Sequence, residues 1–321
     1  MKNPLILAAC CACAVLALSA APALADDGSA TIGAGGLVLQ KTDKIALVSE
    51  DLYLSTRAVR ISYRFRNLTD QDYTTIVAFP MPDLPDDGED VGIPDPNHAN
   101  FLKFQTFVDG KPVISQIEKR AILMTKDDHA VDITDKLRAL HIPLSATSAE
   151  ITRLTKTQRQ ALIKASIIDD EGTPQWKLRS KFWRTQVFPK GKEITVQQNY
   201  VPIVGDTFFG LGSQGNDDIS DYKDFCVDDA FLRSARALYQ TTKGMVIQQD
   251  LSCIITSGGT WAGPIGDFRL TVNKGDPKAL VSFCGTGIKK ISPTRFQMEI
   301  RQYTPDRDIH VLFLMPRKSA N

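Results

Sequence analysis

The chain has 321 residues, 43% of them apolar and 23% charged, a composition that excludes global disorder, collagen-like repeats and a multi-span membrane protein. It is long enough for one large domain or two ordinary ones sharing a core. Its formal charge is +1, and without the Lys2 of the leader basic and acidic residues balance at 37 each, which gives no electrostatic case for nucleic acid.

Residues 1–25 read as a secretory signal: Lys2, an apolar run from Leu5 to Leu18, then Ala23-Leu24-Ala25 before Asp26. The run is too short to span a bilayer comfortably, and Ala23 and Ala25 are the small residues that signal peptidase requires. Cleavage after Ala25 is expected, leaving 296 residues with no transmembrane span. An uncleaved anchor and lipidation at Cys10, in Leu7-Ala8-Ala9-Cys10, are weaker alternatives, because Cys10 precedes the end of the apolar run. Cys10, Cys11 and Cys13 leave with the leader, so Cys226, Cys253 and Cys284 remain in a compartment where disulfides persist. Cys253 alternates with Leu251 and Ile255 as a buried small hydrophobe would, which favours a Cys226–Cys284 bond. Cys226–Cys253 is the rival, since spacing does not fix connectivity.

Strand signals begin at Ile45 to Val48 and Leu52 to Leu54 and become strict at Val59 to Phe65. There Val59, Ile61, Tyr63 and Phe65 share one face, and Arg60, Ser62, Arg64 and Arg66 the other, as in a strand with one face buried and one wet. Asn67 to Asp70 reads as a turn and Thr74 to Phe79 as the returning strand of a hairpin. Prolines 80, 82, 85, 94 and 96 then break regular structure across an acidic stretch, Asp83 to Asp95. Phe101 to Val108 and Pro112 to Ile117 form a second expected hairpin about Asp109-Gly110. Two helices are expected in an insertion at about 132–170, one carrying Leu137 and Leu140 and one opened by a Thr147-x-x-Glu150 capping box. Strand character returns at Trp176 to Phe188 and Ile194 to Tyr200. A polar loop follows at 205–221, then a helix from Asp224 to Gln240 with Val227, Phe231, Ala235 and Leu238 on one face. The remainder is β again: Met245 to Thr256, Phe268 to Val272, Leu280 to Cys284, Arg295 to Arg301 and Ile309 to Met315.

No chemical motif survives its context. Gly210-Leu211-Gly212-Ser213-Gln214-Gly215 matches the dinucleotide fingerprint, but acidic residues follow it and no βαβ unit surrounds it, so it reads as a loop. The acidic runs, including Asp217, Asp218, Asp221, Asp224, Asp228 and Asp229, lack the spacing of a calcium loop, and helix N-terminal charge explains the last three. His98, His129, His141 and His310 are far apart, and no serine sits in a G-x-S-x-G elbow. No catalytic residue, metal ligand or cofactor site is therefore assigned. The aromatic residues Trp176, Trp183, Tyr200 and Trp261 could face a glycan or peptide, although core packing is their default.

Several segments together resemble one family of exported bacterial proteins, domain of unknown function 4424. They are Gly28-Ser29-Ala30, Ser49-Glu50-Asp51-Leu52-Tyr53, Tyr63-x-Phe65-x-Asn67, Ala78-Phe79-Pro80-Met81-Pro82, Tyr200-Val201-Pro202, Trp261-x-Gly263-Pro264-Ile265-x-Asp267-Phe268-Arg269-Leu270 and Val281-Ser282-Phe283-Cys284-Gly285. That resemblance implies export and a single-family architecture, and no activity. The Asn67 turn, Phe79-Pro80 and Val108-Asp109-Gly110-Lys111 make the first half faintly similar to the β-sandwich of vault proteins and inter-alpha-trypsin inhibitor heavy chains, modules that mostly bind or brace.

The sequence thus predicts a mainly β (α+β) chain: residues 26–206 as an antiparallel β-sandwich with a two-helix insertion, and 207–321 as a packed lobe of one helix and antiparallel strands. The expected protein is periplasmic or secreted, a non-catalytic binding or structural module of the cell envelope. Its partner would be an envelope protein or a peptide or glycan ligand. Trp183, Tyr200, Trp261, Asp267 and Arg269 are the candidate ligand surface. The alternative is an envelope hydrolase with its site in the inter-lobe groove, near Gly210 and Trp261; a pocket holding close carboxylates or a Ser-His pair would favour it, and an exposed apolar patch or unpaired sheet edge would favour the binder.

Overall fold

The computed structural model describes residues 27–33, 36–84, 92–95, 98–145, 148–210 and 219–317. The expected leader, the Thr147 of the expected capping box, most of the acidic stretch and the greater part of the Gly210 loop lie outside them. Among the described residues the strands build three sheets. A six-stranded sheet runs Gly36–Leu39, Gly28–Gly33, Tyr73–Pro80, Trp176–Phe188, Gln116–Met124, Ala130–Asp132. An eight-stranded sheet runs Lys289–Lys290, Arg295–Tyr303, Ile265–Asn273, Ile45–Ser55, Ala58–Asn67, Glu193–Tyr200, Gln105–Val108, Lys111–Val113. A four-stranded sheet runs Gly205–Phe208, Val246–Cys253, Ile309–Pro316, Leu280–Phe283. The chain is a mainly β α+β protein.

Alternation decides what each strand buries. Val59, Ile61, Tyr63 and Phe65 are each at most 3% exposed, and Arg60, Arg64 and Arg66 face solvent. This face meets Val77, Phe79, Phe182 and Phe188 of the six-stranded sheet, so the two large sheets are the halves of a sandwich. Leu251, Cys253, Val311 and Phe313 of the four-stranded sheet belong to the same core. Fully burying one such side chain contributes roughly 1.5–3 kcal/mol.

Two connections differ from the expected hairpins. Ala58–Asn67 pairs with Ile45–Ser55 and Glu193–Tyr200, whereas Tyr73–Pro80 pairs with Gly28–Gly33 and Trp176–Phe188. The Asn67 turn therefore carries the chain from one sheet to the other. Asn67, 2% exposed, makes this corner, donating Nδ2 to the carbonyls of Gln71 and Phe188 and accepting the amide of Thr69 at Oδ1. Pro189 to Lys192 makes the matching corner between Trp176–Phe188 and Glu193–Tyr200. The Asp109-Gly110 hairpin does form, but its second strand is only Lys111–Val113, and Gln116–Met124 continues in the opposite sheet.

The polypeptide also crosses the expected boundary at 206. Ile265–Asn273 lies parallel to Ile45–Ser55, and Arg295–Tyr303 and Lys289–Lys290 pair beyond it, so these three strands extend the eight-stranded sheet while Leu280–Phe283 between them joins the four-stranded one. Gly266 permits that close approach, since a Cβ there would collide with the Val48 carbonyl at the bulge between Leu47 and Ser49.

The insertion contains Thr134–Ala139, Ser148–Ile151 and Lys156–Lys164 rather than two helices. Among the described residues a capping box forms at Thr155 with Gln158, each side chain reaching the other's backbone amide. Leu137, Ile151 and Leu162 pack with Trp176 in a separate core, and the Trp176 indole donates to the Leu144 carbonyl. The C-terminal helix is Asp229–Thr241, capped by the Asp228 carboxylate on the Phe231 amide, and a 3-10 turn, Ile219–Phe225, precedes it. A disulfide joins Cys226 to Cys284 and ties that turn to the four-stranded sheet, while Cys253, buried within that sheet, takes no part in the bond.

A buried ion pair lies between the large sheets. Asp27 is fully buried; Arg184 donates to both its carboxylate oxygens, at 3.5 and 2.9 Å, and Gln198 to one at 2.8 Å. The Trp261 indole donates to the Asp27 carbonyl at 2.6 Å, and the Asp27 amide donates to the Tyr63 hydroxyl at 3.4 Å. Asp27 thereby ties both sheets together.

Candidate ligand groove

A groove of about 260 Å³ opens where the chain leaves the sandwich for the four-stranded sheet. Its first wall follows from Pro80. Met81 and Leu84 leave the sheet but continue beside Trp176–Phe188, their amides donating to the carbonyls of Ser180 and Leu178. That course presents Met81, Pro82 and Leu84 to the groove and holds Asp83 in a bidentate pair with Arg179, at 2.9 and 2.6 Å. The pair raises the Arg179 guanidinium above its ordinary value through its hydrogen bond to Asp83.

Phe101 and Tyr200 form the second wall, backed by the stacked rings of Phe104 and Phe182, whose centroids lie 4.3 Å apart. Lys119 lies over the Phe101 ring with its ammonium 4.8 Å from the centroid, and burial holds it below the usual lysine range. The amide of Val201 donates to the Leu102 carbonyl, directing Pro202 and Ile203 along the groove.

The third wall is polar. Gly205 pairs with Asp250 at the start of Gly205–Phe208, and the Asp250 carboxylate lies against the Gly205 α-carbon, where a Cβ would overlap it. Ser252 lies two residues further along the same face, beyond the end of that pairing. His310 is directly opposite Ser252 on the neighbouring strand, its Nδ1 2.9 Å from the Ser252 hydroxyl. Burial pushes the Asp250 carboxyl above the usual carboxylate range, opposed by its own backbone amide and by His310. No ion pair to Asp250 occurs among the described residues.

The five sequence candidates do not come together. Tyr200 alone lines this groove. Trp261 is fully buried against Phe65 and Phe188, with its indole nitrogen spent on Asp27, so it is core and cannot present a ligand surface. Trp183 is half-buried beside Ala30, Leu37 and Ala78. Asp267 and Arg269 lie on the wet face of the eight-stranded sheet, in a broad depression of about 630 Å³. There Arg269 pairs with Asp51 and Glu299, both at 3.0 Å, and Asp267 with Arg301 at 3.7 Å. Exposed pairs of this kind contribute at most about 1 kcal/mol each and keep a sheet face soluble.

Asp250, Ser252 and His310 are the residues that sequence reasoning missed. The available signal was Asp250 and Ser252 at i, i+2, which puts both on one face of a strand; what brings His310 to them is strand register. Among the described residues no group of three or more metal-ligating side chains occurs, and no helix is long and apolar enough to cross a membrane.

Comparison with known proteins adds a family. The family described as Domain of unknown function (DUF4424) matches residues 25–312. A crystal structure of a candidate nutrient binding protein from Legionella pneumophila overlays with a TM-score of 0.42 and 14% identity, covering 91% of this chain and 72% of that one. So loose an overlay carries no argument about function. No curated protein matches the sequence.

Proposed function

The chain belongs to the DUF4424 family, and we propose that it is a non-catalytic binding module of the cell envelope whose ligand enters the groove between Met81–Leu84, Phe101, Tyr200–Ile203 and Asp250. In this reading residues 1–25 are the leader, 26–206 the sandwich, and 207–321 the part that closes the groove and extends the sheets. The Cys226–Cys284 disulfide and the leader pattern support an exported, periplasmic or secreted protein. The observation that carries the reading is the groove itself: apolar and aromatic walls converging on a few polar groups at one end, the usual composition of a small-molecule site. The test is a fragment screen followed by amide and methyl chemical shifts of the mature protein. Binders should perturb Met81, Phe101, Ile203 and Ser252 together and lose effect in Ile203→Trp, which fills the groove. Perturbations clustered elsewhere, or unchanged in that variant, refute it.

One observation favours a second reading, an envelope hydrolase. The Ser252 hydroxyl and His310 are in hydrogen-bond contact at the groove, so His310 could take the hydroxyl proton as Ser252 attacks a carbonyl. It stands second because directly opposed side chains in antiparallel strands commonly bond in this way without catalysing anything. Hydrolysis of short p-nitrophenyl esters that is lost in Ser252→Ala, with stoichiometric fluorophosphonate labelling of Ser252, would establish the enzyme.

A further inference from the structure

We infer that the groove selects small organic amines, holding an alkylammonium head at Asp250 and its apolar stem between Phe101, Tyr200 and Ile203; this rests on the groove being the binding site.

Charge and shape carry the inference. Two carboxylates line the groove. Asp83 is already met by a bidentate guanidinium from Arg179, so its charge is matched within the fold. Asp250 is half-buried and has no ion pair among the described residues, yet the backbone is arranged to admit it, through the glycine at 205. A carboxylate drawn partly out of water regains its lost hydration when a cation or a set of donors meets it.

The groups around Asp250 suit an ammonium. The Ser252 hydroxyl oxygen keeps a lone pair for a second N–H donor while it is bonded to His310. Arg179 is engaged with Asp83 and Lys119 lies over the Phe101 ring, which leaves His310, bonded to Ser252, as the one neighbouring group that the structure sets against the Asp250 charge among the described residues. The side chains of Phe101, Tyr200, Met81, Leu84 and Ile203 line the apolar part of the groove and suit a stem of several methylenes. The volume, about 260 Å³, lies below the roughly 300–1,000 Å³ of drug-sized pockets, which favours a compact amine over a polypeptide. An anionic head would meet Asp250 and is excluded by like charge.

The test uses hexylammonium, 1-hexanol and hexanoate, equal in chain length and different in head, titrated into the mature protein with chemical shifts as the readout. Hexylammonium should bind about tenfold more tightly than 1-hexanol, the ratio expected for one charge-assisted hydrogen bond, and hexanoate should not saturate. In Asp250→Asn, which keeps shape and removes charge, the amine and the alcohol should bind within about threefold of each other. Equal affinity for both in the wild-type protein, or an unchanged preference in Asp250→Asn, overturns the amine assignment and leaves the groove reading intact. If none of the three shifts a groove resonance, both fall.

Discussion

Replacing Arg184 by Met should destabilise the protein severely, because the fold commits a fully buried carboxylate to that one guanidinium. Arg184 and Asp27 side chains are 3% and 0% exposed and meet at 2.9 Å. Methionine retains much of the apolar stem and removes the charge, so the loss reports on the pair rather than on a cavity. Asp27 would keep one carboxylate hydrogen bond, from Gln198 at 2.8 Å, and breaking a buried pair at one end costs about 3–5 kcal/mol. At about 2–4 °C per kcal/mol for chains of comparable size, the melting temperature should fall by about 10 °C. Asp27→Asn combined with Arg184→Met should recover part of that loss, because the abandoned charge is gone. Urea unfolding followed by tryptophan fluorescence suits the measurement, since the Trp261 indole donates to the Asp27 carbonyl and responds to the same site. A loss below about 1 kcal/mol for Arg184→Met would refute the reasoning: Asp27 would then reach water or another partner once Arg184 is gone.

Three further outcomes follow from the geometry. Burial raises the folded pKa of Asp250 above its unfolded value, so its ionisation opposes folding as pH rises through the folded value. Asp250→Asn should therefore melt higher than wild type at pH 7, with the difference vanishing below the ordinary carboxylate range; a lower melting point at pH 7 would show that the carboxylate serves the fold. Gly205→Ala should cost about 1–3 kcal/mol, because its Cβ overlaps the Asp250 carboxylate. Most of that cost should vanish in Gly205→Ala/Asp250→Ser, and additive losses in the double variant would place the strain elsewhere. Removing the Cys226–Cys284 bond, which spans 58 residues, should lower stability by about 4 kcal/mol on the chain-entropy relation. In the non-reduced, denatured mature protein only Cys253 should be alkylated, and three reactive thiols by intact mass would rule the bond out.

Much of the fold is legible in the sequence because burial on one face leaves a period-two record. The stretch from Val59 to Phe65 is read correctly down to single residues, since each apolar side chain there meets the opposite sheet. What alternation does not record is which sheet a strand joins. A hairpin turn and a corner between sheets can share composition, and at Asn67 the distinction lies in a side chain reaching the carbonyl of Phe188, 121 residues away. The number of helices in the insertion was misread for a related reason. Several capping residues lie near each other in sequence, and the described residues carry a second helix start at Thr155 that the pattern did not single out, its helix packing through Leu162 on Trp176.

The groove was less legible, and three interior aspartates show why, two of them, Asp83 and Asp250, in its walls and Asp27 between the sheets. Asp27, Asp83 and Asp250 are the same residue type in apolar surroundings, and no local pattern separates them. Asp27 is closed by Arg184 and Gln198, and Asp83 by Arg179, from partners about 100 or more residues away, so both are spent on structure. Asp250 has no ion pair among the described residues, and burial works against its charge. A fold that supplies a guanidinium to two interior carboxylates has the means to supply one to a third, or to replace the third by asparagine. A titratable group with a shifted pKa in a cleft points to function. The contrast among the three is therefore a stronger argument for binding at Asp250 than any feature of Asp250 considered alone, and it is visible only after the sheets have brought their partners into place.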